Sequence, residues 1–261
     1  MMLPDYAPTF WLCAVLAVMM FGMSKGGFGT GIGVIATPLL TLAIPATDAV
    51  AILLPLLIIA DLFALYQYRM NFHRRSIKLL LPGAFFGIAI GGFFFSFFRG
   101  NERILQVAIG VLALWFVLFQ GFRAIIIGAL EKRRPRAFEG ILMGAISGFT
   151  STLAHAGGPP AIMHLLPQKF PRDQFVGTMV IYFAVVNMVK LIPYQALGLL
   201  KVGNLTTIIV LAPLTYVGVR LGIYLNRRFT DLWFNRVVYT ILVFTGLQLV
   251  TGQNIITILF R

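Results

Sequence analysis

Charged side chains are scarce in this chain, 11% of its 261 residues, where soluble domains carry about 25%. A water-soluble fold of this length cannot be covered by so few. Carboxylates are scarcer still, eight Asp and Glu against 21 Lys and Arg, and no Ser-His-Asp or paired-carboxylate arrangement is visible. The one cysteine, Cys13, lies in an apolar run and excludes both an intrachain disulfide and a multi-cysteine metal site. The three histidines, His73, His155 and His164, do not stand at ligand spacing. No metal and no cofactor is therefore expected, and the chain is not expected to be an enzyme. No Lys or Arg precedes the first apolar run, so the basic start of a cleaved signal peptide is missing and the first helix is expected to be retained.

What the chain has in abundance is apolar sequence, 59% hydrophobic residues with a mean hydropathy of +0.91. That composition belongs to a polytopic integral membrane protein, with the lipid bilayer as its solvent. At roughly 20 residues per spanning helix, about eight to ten crossings fit and little else. One membrane domain covering 1–261 is expected, all-α, because long continuous apolar runs do not build an outer-membrane barrel. The net charge of +13 does not point to nucleic acid, since the basic residues sit in short loops between apolar runs, where they orient the chain in a membrane.

The stretch Lys25-Gly26-Gly27-Phe28-Gly29-Thr30-Gly31-Ile32-Gly33 leading to Pro38 departs from this pattern. Its glycines open a backbone whose N–H groups lipid cannot satisfy, so the break must face protein, water or a ligand. A nucleotide loop is excluded, because no strand precedes the glycines and no Gly-Lys-Ser/Thr follows. Around the break, 9–23 and 34–43 read as a broken helical hairpin. Spans at 46–68, 79–98 and 103–122 follow, and 123–136 is a basic linker on the cytoplasmic side.

Beyond the linker the pattern returns. Gly27-Phe28 and Pro38 fall on Gly148-Phe149 and Pro159, 121 residues later; Asp61 and Tyr68 fall on Asn187 and Tyr194, 126 later; Pro82, Gly87 and Gly91 fall on Pro213, Gly218 and Gly222, 131 later. Repeat one is thus 1–122 and repeat two 137–261, the latter with a hairpin at 139–166 and spans at 174–197, 203–225 and 233–252. If each hairpin returns to its starting side, fourteen Lys and Arg gather on one side of the membrane and four on the other. The positive-inside bias then favours inverted-topology repeats, with both termini outside: periplasmic, for a protein of a bacterial inner membrane.

In inverted-repeat transporters the substrate sits near the midplane where broken helices meet, and helix N-termini face anionic groups. The second break, Gly148-Phe149-Thr150-Ser151-Thr152-Leu153-Ala154-His155-Ala156-Gly157-Gly158-Pro159-Pro160, adds three hydroxyls and a histidine, and Pro159 and Pro160 suit the first turn of a new helix. The candidate substrate-binding set is Lys25, Gly26, Gly27, Phe28, Gly29, Thr30, Gly31, Thr150, Ser151, Thr152, His155, Gly157, Gly158 and Lys190. Asp61, Asn187 and His155 are candidates for coupling or ion pairing. Each has a plainer reading. The glycines could serve close helix packing, Lys25 could snorkel to the interface, and Lys190 could pair with Asp61 across the repeats. His155 could bond a freed backbone group or titrate near neutral pH. Arg220 reads as snorkelling, and Asp48 and Asp173 as N-caps.

The glycine run and Pro38, the segment Ala46-Thr47-Asp48-Ala49-Val50-Ala51, the basic loop at 69–78, the stretch 82–92 and the second hairpin with Gly157-Gly158-Pro159-Pro160 together resemble the sulfite exporter TauE/SafE family of membrane permeases, over nearly the whole chain. The resemblance implies movement of small anions of sulfur and carbon metabolism, such as sulfite, sulfoacetate and thiosulfate. The expected function is thus a secondary transporter of a small sulfur oxyanion, organosulfonate or carboxylate by alternating access, and a homo-oligomer is compatible with the sequence. The alternatives are an anion channel, or a membrane-embedded enzyme or assembly partner of a sulfur or thiol pathway.

Overall fold

The structure is a computed structural model that describes residues 6–27, 32–68, 71–98, 100–122, 125, 128, 136–201, 205–228 and 232–253. Among them every regular element is helical. Helix α1 (Pro8–Lys25) is followed by a 3-10 turn (Ile32–Ile35) that runs into the short α2 (Ala36–Thr41). Three long helices come next: α3 (Ala46–Tyr68), α4 (Arg74–Phe98) and α5 (Glu102–Gly121). The order then recurs as α6 (Ala137–Ala154), the short α7 (Gly158–Leu165), α8 (Arg172–Ala196), α9 (Leu205–Arg228) and α10 (Leu232–Thr251). Seven helices are long and apolar enough to cross a membrane, and α10 supplies a shorter apolar segment, Arg236–Thr251. Large apolar side chains such as Phe86, Phe93, Phe97 and Ile192 lie exposed on the outside, a surface that hydrocarbon accepts.

Local chemistry explains the boundaries. Helix α4 starts at Arg74, inside the expected basic loop, because the His73 ring accepts the Ser76 amide at 3.3 Å and caps the first turn. Asn101 caps α5 by accepting the Ile104 amide at 3.2 Å. Asp48 and Asp173 are not N-caps as expected; each stands inside the first turn of its helix, where a carboxylate still complements the helix dipole. Pro55, Pro82, Pro193 and Pro213 all lie within helices, which membrane helices tolerate when neighbours take up the freed backbone groups.

The strongest packing joins α6 to α4 and α1 to α9. Both seams are made of small residues. A side chain at Gly87 would collide with the Ala145 carbonyl, one at Gly144 with the Leu80 carbonyl, and one at Gly148 with the Ala84 carbonyl. On the other seam Gly26 lies against Val219 and Gly222. Since lipid tails are as apolar as the helices, backbone proximity rather than hydrophobic burial holds such pairs together. The packing reading therefore holds for Gly26 and Gly148.

Helices α3 and α8 cross antiparallel. The Asn71 and Tyr68 carbonyls meet Gly177 at one end, Asp61 meets Asn187 in the middle, and Asp48 meets Lys201 at 2.9 Å at the other. Helices α5 and α10 do the same, with Arg103 donating to the Leu249 carbonyl at 2.8 Å and also to the Val250 carbonyl. One end of the bundle brings together His73, Ser76, Gln168 and Phe170. The opposite end holds Asp48 with Lys201, and Glu102 accepting from the Ala46 amide. Gly87→Ala and Gly144→Ala should each destabilise the protein by about 1–3 kcal/mol by overpacking. Gly100→Ala, where nothing lies within 4 Å of the added carbon, should leave the protein unchanged; thermal denaturation in detergent compares the three.

Candidate functional site

Both hairpins break inside the bundle, and each break is tied to the third helix of its own half. At the first, α1 ends at Lys25 and Gly27 takes a φ of 93°, a left-handed turn that a side chain would strain. The Tyr68 hydroxyl donates to the Gly26 carbonyl at 3.0 Å. At the second, α6 ends at Ala154 and His155 itself adopts the left-handed conformation, φ 53°, unusual for a residue other than glycine. The Tyr194 hydroxyl donates to the Thr152 carbonyl at 2.7 Å. Each tyrosine bond spans 42 residues. Gly26 and Thr152 therefore stand the same 126 residues apart as Asp61 and Asn187.

Between the breaks and the α3–α8 crossing lies a cavity with about 680 Å³ of empty space, including solvent at its open side. Its polar wall is Ser24, Lys25, Ser151, His155 and Asn187, with Gly33 and Gly158 from the two breaks. Phe21, Val34, Leu57, Val176, Met179, Val180 and Phe183 form the apolar wall. Residues from the two halves of the chain thus line one space.

The ionisable groups divide into two clusters. Lys25 pairs with Asp61 at 2.5 Å, the lysine 14% and the aspartate 2% exposed. Asn187 donates to the other carboxylate oxygen at 2.6 Å. The Lys25 ammonium also stands 5.0 Å from the centre of the Phe183 ring, within cation–π range. Lys190, fully buried, turns instead to the second break. It donates to the Ser151 carbonyl at 3.1 Å and hydroxyl at 3.0 Å, and contacts His155 Nδ1 at 2.8 Å. The pairing of Lys190 with Asp61 entertained from the sequence is not formed, because Lys25 occupies the carboxylate. Lys25 does not snorkel to the interface either.

His155 Nε2 lies 3.0 Å from the Val50 carbonyl. A carbonyl can only accept, so Nε2 carries the proton and Nδ1 accepts from Lys190. The imidazole is neutral and has no position for a second proton. The three groups around Lys190 are a carbonyl, a hydroxyl and an imidazole, and none of them is an anion. At the cavity wall itself the lysine that faces inward is Lys25, with Asp61 as its counterion.

The remaining expected residues are distributed as follows. Thr150 donates to the Ile146, Ser147 and Ala156 carbonyls, and Thr152 to the Gly148 carbonyl; both are buried and satisfied away from the cavity. Gly157 accepts from the Ser147 hydroxyl at 2.7 Å, and Gly158 opens α7 beside the cavity, with proline in the first turn. Phe28, Gly29, Thr30 and Gly31 lie outside the described residues. Arg220 is exposed on α9. Three contributors escaped the sequence reading: Ser24, Phe183 and the tyrosine ties. Phe183, Asn187 and Lys190 stand at i, i+4 and i+7, one face of a helix, which was the available signal.

These features define a class: a multi-pass helical membrane protein with an ionised cavity between two internal helix breaks. The chain belongs to the sulfite exporter TauE/SafE family, whose model matches residues 14–249, and this is a family of membrane transporters. No curated protein and no solved structure matches the chain.

The ion pair generates a prediction. Lys25→Ala leaves a buried carboxylate uncompensated and should destabilise the protein by about 3–5 kcal/mol. Adding Asp61→Asn should restore most of that loss, as read by denaturation of the single and double variants in detergent.

Proposed function

We propose that this chain is a secondary transporter that moves a small sulfur-containing oxyanion, organosulfonate or carboxylate across the cytoplasmic membrane by alternating access, without catalysing a reaction. The observation that carries the reading is the cavity lined by Lys25 and by residues of both hairpins. Lys25 supplies a charged donor, Ser24, Ser151 and Asn187 supply neutral polar groups, and the Gly158 end of α7 presents the positive end of a helix dipole. A lysine charge and a helix N-terminus facing the same space favour an anionic guest over a cationic one.

The antiparallel crossings of α3 with α8 and of α5 with α10 support inverted repeats. A two-fold axis lying in the membrane plane brings equivalent helices together head to tail, and exchanges the α1–α9 seam with the α6–α4 seam. On this reading the hairpins enter from opposite faces, and the basic end of the bundle with His73 and Phe170 is cytoplasmic. Both termini then lie on the periplasmic side.

Purified protein in proteoliposomes should concentrate labelled sulfite, thiosulfate or a small sulfonate against a gradient. Lys25→Gln should lower that uptake about tenfold or more, the worth of one charged hydrogen bond. Normal uptake by a folded Lys25→Gln variant would remove the anion-site assignment. Flux that never saturates and never concentrates the anion would make the protein a channel.

A further inference from the structure

Lys25 stands between two claims on its charge. On one side it faces the cavity, and on the other it is the cation paired with Asp61. If the transport reading above holds, an anion bound at Lys25 competes directly with that carboxylate. The other neighbours cannot replace the lost partner. From α8, Asn187 already donates its amide to the second carboxylate oxygen. Lys190, on the same helix, turns its amino group to Ser151 and His155 instead. Helices α2, α5 and α9 also pack on α3, and among the described residues they bring no charged group to Asp61. A carboxylate 2% exposed and stripped of its cation neutralises rather than remaining charged in an apolar interior.

We propose that Asp61 makes the protein an anion–proton symporter: an anion in the cavity takes the Lys25 ammonium, and the Asp61 carboxylate thereby released binds one proton, which travels with the anion. The proton comes from cavity water on the loading side. It returns to water on the far side, when the anion leaves and Lys25 closes back onto Asp61. His155 is not the carrier, since its Nε2 proton is held by the Val50 carbonyl and its Nδ1 lone pair by Lys190. The pair is therefore a switch with the substrate as one contact and Asp61 as the other.

Because Lys25 is shared, acid should favour anion binding by removing the competitor. The test uses thiosulfate, sulfate and methanesulfonate, none of which titrates between about pH 5.5 and about pH 8, the range in which a perturbed carboxylate is sought. Detergent-solubilised full-length protein in weak buffer should take up close to one proton for each anion bound, and affinity should rise by up to about tenfold for each pH unit lowered. Asp61→Asn should bind the same anion with no proton uptake and no pH dependence, at the affinity the unaltered protein reaches in acid. Proton uptake that survives in Asp61→Asn overturns the proposal, as does binding to the unaltered protein without any uptake. Both results leave the transport reading intact, whereas failure of every anion to bind removes that reading and this one together. Should Asp61→Asn not fold, the unaltered protein with isotope-labelled aspartate gives the answer by infrared difference spectroscopy. Anion binding should produce a protonated aspartate carboxyl band, and a spectrum without it refutes the assignment.

Discussion

A charge inside a hydrocarbon layer must be matched within hydrogen-bond distance, because water is not there to do it. Lys25, Lys190 and Asp61 meet that demand in two ways. Lys25 and Asp61 neutralise each other, with Asn187 holding the far oxygen. Lys190 has no counterion at hydrogen-bond distance and is held by a carbonyl, a hydroxyl and an imidazole. Helices from two halves of the chain have to converge so that these few atoms find their partners. The arrangement leaves the Lys25 ammonium at the wall of a cavity, paired on its other side with Asp61.

The helix breaks exist in the service of that centre. A continuous α1 or α6 would fill the space with side chains and leave no backbone facing inward. Ending the helices at the breaks frees polar backbone groups, and among the described residues three of the carbonyls find side-chain donors: Tyr68 donates to Gly26, Tyr194 to Thr152 and Ser147 to Gly157. The strained backbone of His155 is offset by its bonds to Val50 and Lys190. The glycine seams between α4 and α6, and between α1 and α9, hold the broken helices against unbroken ones. Each interrupted helix thus leans on a continuous helix from the other half.

Much of the site was legible in the sequence because membrane chemistry leaves few reasons for its residues. Lys25 and Lys190 in apolar runs, glycines at a break and Asp61 in a span each needed a partner, and all four features meet at the centre of the fold. What sequence could not resolve was which partner each would take. The sequence offered Lys190 as the ion-pair partner of Asp61, and only the packing of α1 against α3 and α9 brings Lys25 to the carboxylate instead. Thr150 and Thr152 looked equivalent to Ser151, yet the helical twist of α6 turns only Ser151 toward the cavity and leaves the threonines to bond backbone carbonyls.

By itself the sequence determined a membrane-embedded helical chain, the positions of most helices, the doubling of the pattern and the existence of two breaks. These follow from hydropathy, glycine and charge, which act locally along the chain. Tertiary structure alone decided which carbonyl each tyrosine takes, the partner of each lysine and the contacts of His155. Those depend on contacts between residues from 35 to 126 positions apart, set by the crossing of whole helices, and no local pattern encodes an angle between helices.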